Sequence, residues 1–331
     1  MMNKILSQKF LLIGIILAAL VPLIFDNRFY LNIFILILLF ATVANAWNVL
    51  GGYGGQLSLG HAIFFGLGAY TSSLLFLKSG LSPWLGLLAA VLVSIIAGIV
   101  IGFPTFRLKG PYFTLATIAF GEVIRHIALF WRSLTNGSMG VNIPFEPSFT
   151  NMIFKEYETY YWLALILFLI SLSFMYWVDR TKVGYYLRAI REDQDSAQTL
   201  GINTTKYKMI AMILSAGLAG AAGVLYGQYM LYFEPENIFN LNLSIEFVLI
   251  VIVGGIGTIY GPLLGAAIVI PLNEILRSSF PMLNGMNFFI YGIVLILIVA
   301  FLPNGLLPFL KDLLKGKLLN RKRVKSKIVE D

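Results

Sequence analysis

The sequence predicts an all-α, polytopic integral membrane protein with about ten transmembrane helices. Three observations carry this. Of 331 residues, 58% are hydrophobic and 12% are charged, about half the charged share of a soluble domain. Mean hydropathy is +0.83. Apolar stretches near the roughly 20 residues that a spanning helix needs recur along the chain. Together these exclude a soluble enzyme, a disordered chain and a nucleic-acid binder. The chain has no cysteine, which removes disulfides, thiol catalysis and cysteine metal sites.

The stretches, in order, are 9–25, 29–50, 59–77, 81–103, 112–131, 159–178, 207–231, 244–258, 260–277 and 287–302. The first follows Lys4 and Lys9, like the basic start of a signal peptide. No small-x-small cleavage site follows it, so it reads as a retained first helix. The segments between spans alternate in charge. With the N-terminus inside, eighteen of the 24 Lys and Arg lie on the inner side or in the tail. Five lie outside: Arg28, Lys78, Arg132, Lys155 and Arg277. That bias predicts both termini in the cytoplasm and an even number of spans. Residues 1–310 form the membrane domain, and 311–331 form a basic tail that anchors the last span or touches anionic lipid. Two segments outside the spans have some size. The outer loop 132–158 carries the turn-like run Asn136-Gly137-Ser138-Met139-Gly140. The inner loop is 179–206.

Familiar catalytic signatures are missing. There is no phosphate-binding G-x-x-x-x-G-K-[ST] run, no H-E-x-x-H and no G-x-S-x-G elbow. His61 and His126 sit on different spans with no zinc-ligand spacing around them. Uphill movement would therefore draw energy from a partner or an ion gradient.

Glycine is frequent, at 31 residues. Gly66 and Gly68, and Gly217 with Ala221, suit close helix packing. Two clusters sit near span ends: Gly51-Gly52-Tyr53-Gly54-Gly55 and Gly254-Gly255-Ile256-Gly257. They read equally as tight hairpins or as unwound backbone lining a watery route, since lipid tolerates no exposed irregular backbone. In the fifth span, Glu122, Arg125 and His126 share one helix face. A charge at that depth costs about 2.5–3.5 kcal/mol on insertion scales. The three read either as a locally satisfied group or as a polar patch on a pathway or subunit contact. Asn45, Asn48 and Glu246 carry the same ambiguity, and Asn273 and Glu274 read as anchors near a span end.

From Tyr185 to Leu200 the inner loop has no Pro or Gly, and Gly201 stands where a helix C-cap would. Leu187, Ile190, Ala197 and Leu200 give a partial apolar stripe, so one short amphipathic helix over 185–200 is predicted. It would be either a surface connector or a ridge that docks on a partner.

Asp195-Ser196-Ala197 followed by Gly201 resembles the E-A-A-x-x-x-G signature of ABC importer permeases, with Asp for Glu and Ser for the first Ala. Four further segments narrow the resemblance. They are Gly54-Gly55-Gln56-Leu57-Ser58-Leu59-Gly60-His61-Ala62, Arg107-Leu108-Lys109-Gly110-Pro111-Tyr112-Phe113, Gly254-Gly255-Ile256-Gly257-Thr258, and Phe301-Leu302-Pro303-Asn304-Gly305-Leu306. In this order they resemble the permeases of branched-chain amino acid ABC importers, from about 40 to 310. The Arg107 segment resembles the LivM-type subunit rather than the LivH-type.

The resemblance implies an ABC importer permease fold in the cell membrane and no enzyme activity in this chain. It implies a second homologous permease, two ATPase subunits that bind ATP and Mg, and an extracytoplasmic binding protein delivering leucine, isoleucine or valine. It makes the inner helix a coupling helix, with Arg191, Glu192, Asp195, Ser196, Ala197, Gly201 and Ile202 as the ATPase-coupling set. The expected pathway set is Gly52, Gly54, Gly55, Ser58, His61, Gly254, Gly255 and Gly257. Related permeases serve urea, sugar or nucleoside importers. An ion-coupled secondary transporter is the rival class, and it would usually place carboxylates on central broken helices.

Overall fold

The computed structural model describes residues 21–22, 27–279 and 286–314. The predicted span 9–25, apart from residues 21 and 22, and the tail beyond 314 lie outside the described residues.

Asn27 starts the first described helix, α1 (Arg28–Asn48), by accepting the Phe29 amide on its side chain. Ile35, Leu39, Val43, Ala44, Trp47 and Leu50 are all buried. A helix apolar on every side belongs in a core, and α1 is the central pole. Its end does not open into the expected hairpin. It winds on as a π-helical turn over Val49–Tyr53, and the chain leaves the helical path only at Gly55, where φ is +66°.

The remaining helices are α2 (His61–Ser79), α3 (Pro83–Thr105), α4 (Pro111–Phe130), α5 (Arg132–Thr135), α6 (Tyr157–Arg180), α7 (Lys182–Glu192), α8 (Gln194–Thr199), α9 (Thr204–Met230), α10 (Pro235–Ile238), α11 (Leu241–Gly254), α12 (Gly261–Ser279), α13 (Met286–Phe301) and α14 (Leu306–Leu314). Each predicted span from 29–50 onward falls on one of them. Among the described residues, seven helical stretches are long and apolar enough to cross a membrane.

Two packing units share the core. In one, α2, α3 and α9 pack backbone to backbone. A Cβ on Gly68 would collide with the Gly220 carbonyl, and one on Gly223 with the Phe65 carbonyl. Small residues at such crossings let helices approach closely, which supplies the dispersion energy that holds them in lipid. In the other, α1 is enclosed by α6, α9, α11 and α12.

Connecting segments cluster at two ends, as the alternating charge predicts. At the end predicted to be outside, strand β1 (Val141–Asn142) pairs antiparallel with β2 (Tyr232–Phe233). Lys78 donates to the Ser133 carbonyl, and the Trp84 indole donates to the Phe149 carbonyl. The loop 132–158 is thereby folded down over α2, α3 and α9.

At the opposite end the inner loop departs from expectation. Two helices replace the single one, because Asp193 leaves the helical region (φ −156°, ψ 116°). Its carboxylate accepts the Ser196 amide and caps α8. Gly201 takes φ +85°. The Ile202 amide donates to the Ala197 carbonyl and the Gly201 amide to the Gln198 carbonyl, a Schellman ending that needs a left-handed residue there.

Candidate translocation and coupling site

The two glycine clusters meet. Asn48, on the last turn of α1, donates its amide NH2 to the Thr258 carbonyl at 2.9 Å and accepts the Gly257 amide at 2.9 Å. A Cβ on Gly52 would run into that Asn48 side chain and into the Gly257 nitrogen. The arrangement demands glycine at both places, since two backbones approach with one amide side chain between them. Beside it, Tyr53 donates its hydroxyl to Asp179 at 3.0 Å, tying the π-helical turn to the end of α6.

Arg191 of α7 closes the junction. Its Nη1 donates to the Gly52 carbonyl at 2.7 Å, and Gly55 and Gly257 both lie against its side chain. A π-helical turn disturbs the regular backbone ladder, and here a guanidinium serves one of its carbonyls. Three further ties hold the α7–α8 segment. Arg188 pairs with Asp179 at 2.7 Å, Lys208 of α9 donates to Gln194 Oε1 at 2.6 Å, and Lys109 pairs with Asp195 at 2.7 Å. The last pair is well exposed and contributes little. Lys208 is buried, so its bond to Gln194 matters more: losing it would leave an unpaired ammonium in the core.

Of the expected coupling set, Glu192, Asp195, Ser196 and Gly201 are exposed, Ala197 is buried and Ile202 is half-buried. Arg191 is exposed too, but its guanidinium reaches the junction. The predicted apolar stripe divides. Leu187, Ile190 and Ala197 pack inside, whereas Leu200 is 81% exposed.

Of the expected pathway set, Gly52, Gly54, Gly55 and Gly257 gather around Arg191 and the π-helical turn. Gly254 packs on the Gly261 carbonyl at the α11–α12 crossing, and Gly255 packs against Gly305 and Pro308. Ser58 and His61 are buried in the core. The Ser58 carbonyl accepts the Trp47 indole at 2.7 Å. His61 Nε2 lies 2.6 Å from Ser215 Oγ, and that hydroxyl donates its one hydrogen to the Ala46 carbonyl at 2.6 Å. The His61 Nε2 must therefore be the donor in that bond. Next to the junction a cavity of about 390 Å³ is lined by Gly55, Gln56, Leu57, Pro111, Phe113 and Thr114.

Glu122, Arg125 and His126 do come together on α4. Arg125 donates to Glu122 Oε2 from Nε at 2.9 Å and from Nη2 at 2.6 Å. His126 Nε2 stands 4.0 Å from the same oxygen. Asn45 donates to Ser171 at 3.0 Å, and Asn273 donates to Glu246 at 3.2 Å.

Sequence reasoning missed Lys208 as a support of α8, because its partner Gln194 lies on another element. It also missed an outer cavity of about 370 Å³ lined by Arg28, Asn32, Lys155, Tyr157, Tyr160 and Tyr229. Arg28 and Lys155 were legible as outer cations, but their convergence depends on how α1, α6 and α9 cross.

A bundle of apolar helices with glycine-mediated crossings, and one compact helical segment bonded to its base, defines a polytopic membrane permease. The chain belongs to the family described as branched-chain amino acid transport system / permease component, whose model matches residues 29–299. It is 29% identical to the high-affinity branched-chain amino acid transport system permease protein LivM of Salmonella typhimurium, over 94% of this chain and 77% of that protein. The probable LivM permease of Methanocaldococcus jannaschii is 24% identical over 77% of this chain and 81% of its own. The LivH permease of Escherichia coli is 24% identical, with 81% and 91% covered. The LivM-type resemblance read from the Arg107 segment is borne out. No solved structure matches the chain significantly.

Proposed function

We propose that this chain is the LivM-type permease subunit of an ATP-driven importer of leucine, isoleucine and valine. It performs no covalent chemistry. It forms part of the translocation pathway with a second, homologous permease, and an extracytoplasmic binding protein delivers the substrate. Two ATPase subunits bind ATP and Mg, and one of them docks on the α7–α8 segment of this chain. The chain crosses the cell membrane about ten times, with both termini in the cytoplasm.

The observation that carries this reading is the construction of the α7–α8 segment. It presents Glu192, Asp195, Ser196 and Leu200 outward, while Arg191, Arg188 and Lys208 bond it to α1, α6 and α9. A partner that moves its outer face would pull on the helix bundle directly. An exposed leucine on a polar ridge suits the apolar groove of a docking partner.

The test is reconstitution of the chain into proteoliposomes with its second permease, two ATPases and binding protein. Leucine uptake that requires ATP and all partner chains is the expected outcome. Uptake driven by an ion gradient without ATPases would overturn the reading.

A further inference from the structure

Two helices of the bundle show broad faces to the outside of this chain, and the two faces differ in chemistry. The open face of α3 carries Leu85, Leu88, Leu92, Ile96, Ile99, Val100 and Phe103, all apolar, as a lipid contact requires. The open face of α4 does not. Only Phe113, Thr117 and Ala128 of α4 are buried. On the opposite side, at helical spacing, stand Leu115, Ala119, Glu122 and His126. The Glu122 side chain is 40% exposed, Arg125 24% and His126 55%.

Depth makes this informative. The 20 residues of α4 rise about 30 Å, the thickness of the hydrocarbon layer. Glu122 is the twelfth of them, about 17 Å from the start. Neither end of the helix is close enough for this short side chain to reach water. Charged groups at such depth face a protein interior or a water-filled cavity, not lipid.

The ion pair also leaves groups to spare. Both Arg125 bonds fall on Glu122 Oε2, so Glu122 Oε1 and Arg125 Nη1 hold no partner among the described residues. A carboxylate oxygen and a guanidinium N–H then stand side by side, with Ile118 lining the same cleft as Glu122 and Val123 next to it on the helix. That set matches a zwitterion with an aliphatic side chain: its ammonium on Glu122 and its carboxylate on Arg125. Behind Glu122, a narrow cleft of about 10 Å³ against Ile63, Phe239 and Ser244 is the size of one water.

We propose that the α4 face bearing Ala119, Glu122, Arg125 and His126 lines the water-filled substrate route, and that the Glu122–Arg125 pair is a polar step for the amino acid's ammonium and carboxylate. The proposal rests on the transport reading for its ligand but not for its water.

The cysteine-free chain allows a direct test. Ala119→Cys and Val123→Cys on α4, and Leu92→Cys on α3 as a lipid-facing control, are made one at a time in the assembled complex. They are exposed to a charged methanethiosulfonate, which reacts with thiolates in water and not in lipid. Ala119→Cys and Val123→Cys should react at least tenfold faster than Leu92→Cys. Reaction as slow as the control would overturn the water-lined face, because α4 would then lie against lipid or a close-packed subunit. In parallel, Glu122→Gln and Arg125→Gln should lower leucine uptake per complex at least tenfold with unchanged membrane abundance. Wild-type uptake in both would overturn the polar step. If either variant fails to assemble, Arg125→Lys, which keeps the charge but loses the paired geometry, takes its place in that comparison. Labelling needs no transport, so a complex that labels on α4 but shows no ATP-dependent uptake condemns the transport reading and leaves the water-lined face standing.

Discussion

At the scale of single residues, glycine does two separable jobs. Gly68 and Gly223 exist for space: an added methyl meets the Gly220 or Phe65 carbonyl, which is backbone and cannot rotate away. Gly68→Ala and Gly223→Ala should each lower folded protein, with an overpacking cost of about 1–3 kcal/mol. Size-exclusion profiles of detergent extracts will show it as lost monodisperse peak. Gly201 exists for its backbone angle: nothing lies within 4 Å of an added Cβ there, but φ is +85°. Gly201→Ala should cost only about 1 kcal/mol, extracting with a near-normal profile. The sequence showed these glycines but not the division between them, because space depends on what crosses and angle on how a helix ends. Only at Gly201 did local signals suffice. His61 was equally opaque. Its bond to Ser215 spans 154 positions, and nothing near His61 announces that partner.

At the scale of elements, the break between α7 and α8 was readable in hindsight. Asp193 with Ser196 three residues on is a helix-start signal, though the stretch 185–200 carries no Pro or Gly to mark a break. Hydrogen bonds from Ser196 hold the Asp193 carboxyl below the usual carboxylate range. The sign follows. A depressed folded value means that the cap's contribution is complete above the ordinary carboxylate pKa and is lost as pH falls through the depressed one. Exchange of the Ser196 amide should therefore gain extra acceleration in acid, relative to neighbouring amides. Asp193→Asn keeps an acceptor without a titrating group, and should give a profile free of that acid step. Asp193→Ala should expose the amide at all pH values, with faster exchange across the whole range. The long helices were legible for the opposite reason. Runs such as Leu31–Asn48 are apolar on every side, and a hydrophobic run needs no partner to be recognised as a span.

At the scale of the whole molecule, charge placement predicts orientation. Ser196 lies at the junction end of the bundle, and Ser138 lies in the loop folded over the other end. Single cysteines at these positions should label from opposite faces of intact cells and inverted vesicles: Ser196→Cys from the cytoplasm only, and Ser138→Cys from outside. Labelling of both from one face would break the topology. What the sequence withheld at this scale is the enclosure of α1. Burial of a helix by α6, α9, α11 and α12 follows from crossings between distant segments, and no local pattern encodes them.

That enclosure sets a timetable for biogenesis. The Asn48 amide finds its acceptor, the Thr258 carbonyl, 210 positions later in the chain. At cellular synthesis rates of 5–20 residues per second, about 10–40 s pass between the translation of one and the other. Through that interval α6, α9 and α11 are added around α1, while its final turn keeps an unmatched carboxamide. Its apolar girth lets it wait in lipid, but the carboxamide invites a hand from an insertase. A ribosome stalled before Thr258 would strand the pole of the bundle without its keystone. Membrane quality control would then meet a helix that is perfectly inserted and still unfinished.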